Sequence, residues 1–257
     1  MVKKARVSGP EARNRPRPGH LLAVSLVLAL AIFVVILSLN RHEVDEYESS
    51  YVPPPAPVFD YEHVSFLGDD YTVGVGALTE ELGYASVLSR RQCWEKNIDA
   101  VSDTGYENGG PDDSMSFINP KRIESITNTQ PRLIIIQGGT NDKPSPTLYN
   151  SAQAVYRAIQ TAAPSAKIIV VGPAQPPQAS ESDLRAVRAD IEKAARDTGI
   201  TFVDPTVNGW LALNDYASDG AHPNTEGHAK LAMKLREVIR ALELPRFDSC
   251  APVEQTR

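Results

Sequence analysis

Three short segments of this 257-residue chain carry side chains that are used in acid–base and nucleophilic chemistry. Near the C-terminus, Asp219 precedes His222 by three residues, a spacing at which a carboxylate can fix one tautomer of an imidazole base. Asn141 has a side-chain amide that can stabilise an oxyanion without carrying charge itself. The earliest segment, Gly68-Asp69-Asp70, supplies carboxylates. These groups can act on one substrate only if they lie close together. The strands and helices that carry them must therefore bring the three segments to one place in the fold.

The elements between these segments alternate between strand-like and helix-like patterns. Residues 133–136 and 168–171 are continuously apolar, which is typical of strands buried on both faces of a parallel sheet. Helices are predicted to begin at Ser145-Pro146 and at Ser180, where Asp183 completes a capping pattern. The predicted fold class is α/β, a doubly wound parallel sheet in the three-layer, flavodoxin-like arrangement. The predicted strands are 63–67, 97–102, 133–137, 167–171 and 200–203.

The candidate residues follow the carboxyl ends of these strands, where open α/β sheets bind their ligands. Asp70 follows the first predicted strand, Gly105 the second and Asn141 the third. Asp219 and His222 lie in the loop before the last predicted helix, at about residues 224–242. The topology therefore predicts that segments far apart in sequence meet at one edge of the sheet.

In order and spacing, Gly68-Asp69-Asp70, Gly138-Gly139-Thr140-Asn141-Asp142 and Asp219-Gly220-Ala221-His222-Pro223 resemble the motifs of the SGNH (GDSL-type) hydrolase family. The resemblance covers about residues 60–245. It implies ester hydrolysis or acyl transfer, with no metal and no organic cofactor. It also implies that His222 is the general base, that Asp219 orients it, and that Asn141, Gly105 and the backbone N–H of residue 70 donate hydrogen bonds to the oxyanion. Gly109 and Gly110 are alternatives to Gly105.

The family's first motif reads Gly-Asp-Ser, and its serine is the nucleophile, whereas this chain has Asp70 there. Three interpretations follow. The chain is a degenerate hydrolase that binds a ligand without turnover, with Asp70 paired to a protonated His222 in the oxyanion space. Alternatively, Asp70 is a covalent nucleophile, better suited to alkyl or glycosyl transfer because an acyl group would give a reactive anhydride. In the third, the replacement is recent or introduced, and the other groups remain intact. Neither Thr72 nor Ser65 is expected to supply the missing hydroxyl.

The N-terminal region has the pattern of a signal anchor. Residues 1–20 form a basic tail, and residues 21–39 are uncharged and long enough to span a bilayer. The charges predict a cytoplasmic N-terminus and an extracytoplasmic domain. A cleaved signal peptide is the alternative, disfavoured by the length of the apolar run and the lack of a small-residue cleavage site. Residues 40–58 are acidic and then proline-rich, typical of a stalk; a domain at 59–250 and a tail at 251–257 follow.

The net charge and the two cysteines indicate which kinds of partner this chain is expected to lack. The chain has a formal net charge of −6 although its first residues are basic, and an acidic domain argues against nucleic acid, because phosphate contacts need a basic surface. Cys93 and Cys250 fall on the predicted outer side, where a disulfide is stable; two separate buried thiols are the alternative. No metal site is expected, because no histidine lies near either cysteine in the sequence. His42, His63 and His228 are expected on the surface or in the stalk.

These patterns together predict a membrane-anchored extracytoplasmic protein, held through residues 21–39, that by resemblance is an ester hydrolase or acyltransferase. Its location suggests small-molecule esters or acylated envelope lipids and glycans as substrates. The alternative is a non-catalytic ligand-binding or scaffold protein of the cell envelope that uses the same crevice.

Overall fold

The computed structural model of the chain describes residues 18–39 and 61–242. It has two compact units, Met1–Pro55 and Ala56–Arg257. The first contains helix α1, Pro18–Leu39, which covers the apolar run. Within the described residues, no helix combines the length and the apolar character needed to cross a membrane. The predicted stalk and C-terminal tail lie outside the described residues.

The second unit is an α/β domain, as the sequence predicts. Its strands are β1 His63–Gly68, β2 Glu95–Ala100, β3 Leu133–Gln137, β4 Lys167–Val171 and β5 Thr201–Val203, and its helices are α2 Asp70–Val73, α3 Tyr84–Gln92, α4 Pro120–Thr127, α5 Leu148–Ala162, α6 Glu181–Asp197 and α7 Thr225–Ala241. The sheet order is β2-β1-β3-β4-β5, and all neighbouring strands are parallel. This is the flavodoxin-like order, with its switch point between β1 and β3.

Two apolar cores lie on opposite faces of the sheet. Leu133 and Ile135 of β3 belong to the core that contains residues of α3 and α7. Ile134 and Ile136 belong to the core that contains residues of α4, α5 and α6. Because successive side chains of a strand point to opposite faces, both cores require apolar residues, and this explains the continuous apolar runs.

The ends of some elements differ from the predictions. β2 begins and ends two residues earlier than predicted, and α5 begins at Leu148 rather than at Ser145-Pro146. The physical reason is local: the Ser145 hydroxyl accepts a hydrogen bond from the Thr147 N–H at 3.2 Å, which makes a polar turn before the helix. The predicted start of α6 is confirmed, since the Ser180 hydroxyl accepts from the Asp183 N–H.

A buried arginine fastens the carboxyl ends of β1 and β2 together. Arg122 of α4 has no solvent exposure, and its guanidinium donates to the Asp99 carboxylate at 2.6 Å and to the Gly68 carbonyl at 2.7 Å. It also donates to the Thr104 hydroxyl at 3.0 Å and to the Met115 carbonyl at 2.7 Å. These bonds fix the directions in which the chain leaves both strands.

We expect Arg122→Met to lower the free energy of unfolding by about 3 kcal/mol, because the partly buried Asp99 carboxylate, 15% exposed, loses its cation and the carbonyls of Gly68 and Met115 lose a donor. Urea denaturation measures the change. Arg157→Met, at an exposed position of α5, is the matched control and should change stability by less than about 0.5 kcal/mol. Equal effects of the two substitutions on stability would contradict the conclusion that Arg122 holds the ends of β1 and β2 together.

Candidate active site

The turn after β1 places Asp70 at the carboxyl edge of the sheet. Gly68 is required there, because a Cβ at this position would lie 1.9 Å from Thr72 Oγ1. The Asp69 carboxylate accepts the Tyr71 N–H at 3.1 Å and so caps the single turn of α2. The helical turn thus begins within two residues of the end of β1, and Asp70 is only 5% exposed.

One oxygen of the Asp70 carboxylate accepts two converging hydrogen bonds. Its Oδ2 accepts from the Asn141 side-chain amide at 2.8 Å and from the Asp103 backbone N–H at 3.0 Å. The same Asn141 amide donates to the Thr104 carbonyl at 3.1 Å, which fixes its orientation. A pair of preorganised donors of this kind stabilises an oxyanion. Here Asp70 itself occupies them.

The other oxygen of Asp70 faces the predicted base. Asp70 Oδ1 lies 3.8 Å from His222 Nε2. On the far side of the ring, His222 Nδ1 lies 2.7 Å from Asp219 Oδ2, while Asp219 Oδ1 accepts the N–H groups of Ala221 and His222 at 2.9 and 3.1 Å. Asp219 therefore holds the proton of the neutral ring on Nδ1 and leaves Nε2 directed at Asp70.

The electrostatics keep Asp219 charged. Burial acts to raise the pKa of its carboxyl, but the hydrogen bonds from the His222 ring and from the N–H groups of Ala221 and His222 lower it to about 2. The orientation of His222 is therefore maintained throughout the neutral and mildly acidic range.

Tyr71 joins the two halves of the site. Its hydroxyl donates to the Ala221 carbonyl at 2.9 Å, and its ring centroid lies 6.3 Å from that of His222. Burial, followed by the proximity of Tyr216, raises the pKa of the Tyr71 hydroxyl far above its ordinary value. The group therefore remains a neutral donor that holds the loop of the base against α2.

Gly105 is predicted to donate to the oxyanion, and in this structure its N–H has a partner within its own loop. Its N–H donates to the Asn108 carbonyl at 2.8 Å, and a Cβ there would lie 2.4 Å from Asp142 Oδ2. The Asp142 carboxylate accepts the N–H groups of Tyr106 and Glu107 at 3.0 and 2.9 Å. Gly105 thus makes room for Asp142, which anchors the loop beside Asn141.

The backbone donor that reaches Asp70 belongs instead to Asp103, which the sequence reasoning missed. Asp103 has a φ of +59°, in the left-handed region where glycine is the usual marker and aspartate is tolerated. In the sequence, Asp103 is marked only by its position in the loop after the second strand, two residues before Gly105.

Neither Thr72 nor Ser65 supplies a hydroxyl in place of the missing serine. Thr72 is buried, and its hydroxyl forms hydrogen bonds with the Tyr84 hydroxyl and the Gln137 side-chain amide, each at 3.0 Å. Ser65 lies fully buried within β1. Both residues therefore stay outside the site, as predicted.

The prediction of a surface position for His228 is wrong. The residue is fully buried; its Nδ1 accepts the Tyr84 N–H at 3.3 Å and its Nε2 donates to the Val75 carbonyl at 3.0 Å. Burial, more than any other cause, lowers the pKa of His228. It is a neutral structural histidine that ties α7 to α3 and to the segment after α2.

The predicted disulfide remains a prediction, because Cys250 lies outside the described residues. Cys93 follows α3 in the left-handed conformation, and no free cysteine occurs in the described part of the chain. Across residues 18–39 and 61–242, no group of His, Cys, Asp and Glu is arranged to hold a metal ion.

The fold and the groups at its carboxyl edge are those expected of the GDSL class of hydrolases, with an aspartate at the position of the nucleophile. The model of the GDSL-like lipase/acylhydrolase family matches residues 66–230, and this chain belongs to that family, whose members act on esters. A GDSL lipase of Mycobacterium tuberculosis is 26% identical over 193 residues, which cover 68% of this chain and 80% of the relative.

Solved structures with the same fold include esterases that act on carbohydrates and a psychrotrophic esterase. A family two carbohydrate esterase from Clostridium thermocellum, in complex with cellohexaose, has a TM-score of 0.58 at 17% identity, covering 75% of this chain and 67% of its own. The psychrotrophic esterase EstA from Pseudoalteromonas sp. has a TM-score of 0.56 at 14% identity, covering 71% and 98%. At these identities the likeness shows the fold alone.

Asp69 makes the stability of this site depend on pH. Complete burial, and next the charge of Asp70, raise the pKa of Asp69 well above 3.8. The folded state therefore retains the proton more strongly, and its stability falls as the pH rises from the unfolded pKa towards the folded one. We expect the unfolding free energy of Asp69→Asn, relative to the parent, to increase as the pH rises above about 4, by up to ~1.4 kcal/mol per pH unit.

Urea denaturation at several pH values measures this difference. The exposed Asp113→Asn is the control and should change the unfolding free energy by less than about 0.5 kcal/mol. If the difference in unfolding free energy between Asp69→Asn and the parent does not change with pH, the pKa of Asp69 is the same in the folded and unfolded states, which contradicts the prediction.

Proposed function

We propose that this chain retains the ester-binding site of a GDSL-type hydrolase but that Asp70 prevents acyl transfer by the serine mechanism. The observation that carries the proposal is the pair of hydrogen bonds to Asp70 Oδ2 from Asn141 and Asp103. A substrate carbonyl oxygen needs the same donors, and a carboxylate held there repels the negative charge that develops on it. A bound acyl ester is therefore not activated.

The other groups that acyl transfer requires are still in place, so the site lacks only its nucleophile. Asp219 still orients His222, and Nε2 still faces position 70. A serine at position 70 is shorter and carries no charge. It would release the donors of Asn141 and Asp103 and place a hydroxyl on the side of His222, which is the arrangement that acyl transfer requires.

We expect Asp70→Ser in the full-length protein to hydrolyse short-chain p-nitrophenyl esters at least ~100-fold faster than the parent, because it restores a nucleophile beside a positioned base. Steady-state rates of p-nitrophenol release measure the gain. Asp70→Ser/His222→Ala should return to the parent rate, and Asp70→Ser/Asn141→Ala should lose about 10²–10³ in kcat.

Two results would overturn this proposal. One is a folded Asp70→Ser protein with the thermal stability of the parent and no activity on any of the esters. The other is a parent protein that already hydrolyses these esters as fast as Asp70→Ser and loses that activity when His222 is replaced by alanine.

The proposed place of action is the outer face of the membrane, with residues 21–39 as an anchor and acylated lipids or glycans as ligands. Support for the anchor comes from the basic residues before an uncharged apolar run and from the exposed side chains of α1, such as Leu26, Phe33 and Leu37. Support for a glycan ester comes from the carbohydrate esterases that share the fold.

We expect the full chain to stay with the membrane fraction after alkaline carbonate extraction, because an uninterrupted apolar segment partitions into hydrocarbon. A chain that begins at residue 40 is the matched control and should be released. External protease should digest the domain of intact spheroplasts. Extraction of the full chain by carbonate, or a mature protein that begins after residue 39, would contradict the anchor.

A further inference from the structure

The two oxygens of the Asp70 carboxylate have different surroundings, and this asymmetry carries a further activity. Within the described residues, the hydrogen bonds to this side chain all end on Oδ2. Oδ1 faces His222 Nε2 across 3.8 Å. A carboxylate held by one oxygen presents the other with its lone pairs available and with its direction fixed, as a covalent nucleophile requires.

We propose that Asp70 is a covalent nucleophile for a primary sp³ carbon that carries a stable anionic leaving group. This activity uses the site of the proposed function but does not require that acyl esters bind there. The distinction follows from the products: an acyl group on Asp70 gives an anhydride, whereas an alkyl group gives an ordinary carboxylic ester. The substrate class is thus a primary alkyl halide, sulfonate or phosphate ester.

In the first step, Asp70 Oδ1 forms a bond to the substrate carbon while the bond from that carbon to the leaving group breaks. The leaving group departs with the electron pair. Both N–H positions of the Asn141 amide are directed at Asp70 and Thr104, so the departing group must be stable as an anion. The Asp70 side chain is only 8% exposed, and this access favours an unbranched carbon.

In the second step, the pair of His222 and Asp219 hydrolyses the alkyl ester of Asp70. His222 Nε2 takes a proton from water, and the water oxygen attacks Asp70 Cγ. Negative charge then develops on Oδ2, which already lies at 2.8 and 3.0 Å from its two donors. The bond between Cγ and Oδ1 breaks, the alkoxide takes the proton from His222, and an alcohol leaves.

The balance of the two steps is an alkyl compound and water giving an alcohol, the free anion and a proton. Asp70 is regenerated with one oxygen from water, and the alcohol carries the oxygen that was Oδ1. The oxyanion donors, which in a serine enzyme stabilise the substrate's carbonyl oxygen, here stabilise the carboxyl oxygen of the enzyme itself.

The test is a single turnover of 1-bromobutane by excess full-length protein in oxygen-18 water. We expect the heavy isotope in the proteolytic peptide that contains Asp70 and unlabelled butanol. In His222→Gln, we expect a butyl group to accumulate on Asp70, located by tandem mass spectrometry, with ester hydrolysis slowed ~100-fold or more. Asp70→Asn should give neither adduct nor label, whereas the exposed Asp113→Asn should behave as the parent.

Labelled butanol in the first turnover would mean direct attack by water and would overturn the proposal. So would the absence of a butyl group on Asp70 in a His222→Gln protein that unfolds at the parent's temperature. Neither result affects the esterase activity expected of Asp70→Ser, because that assay uses another nucleophile and an acyl substrate. Failure of one proposal is therefore distinguishable from failure of the other.

Discussion

The Arg122 guanidinium is the constraint on which the edge of the sheet depends. Its planar fork binds the end of β1 through Gly68, binds β2 through Asp99, and reaches the following loop through Thr104. Charge-assisted bonds of this kind are short and directional. They determine where the chain goes after each strand, and so where the Asp103 N–H meets the Asp70 carboxylate. The chemistry at the edge therefore depends on a cation that never contacts the reacting groups.

Three aspartates of the site occupy three different electrostatic environments. Burial raises the pKa of Asp69, so a proton there reduces repulsion with its neighbour. Asp70 lies between hydrogen-bond donors and a histidine. Asp219, bonded to the histidine and to two backbone N–H groups, is held in its charged form. Residue type alone does not separate these roles; the separation comes from burial and from the donors that each carboxylate meets.

The sequence predicts those parts of the structure that have a regular apolar pattern or a recognisable motif. Continuous apolar residues at 133–136 indicate a doubly covered parallel strand, and the spacing of Asp219 and His222 indicates a paired base. The missed parts depend on tertiary packing. Arg122 looks like a solvent-facing residue of a helix, Gly105 is required by a distant carboxylate, and Asp103 takes a left-handed conformation without being glycine. Local pattern contains no information about partners that lie 20 or more residues away.

The hydrogen bond from Tyr71 to Ala221 couples the positions of Asp70 and His222. Tyr71 follows Asp70 in one helical turn, and Ala221 precedes His222, so the bond closes a short ring of covalent and hydrogen bonds around the gap between carboxylate and imidazole. Displacement of either loop carries the other with it. The bond therefore restrains the separation of the carboxylate and the imidazole even where it leaves both loops free to shift together.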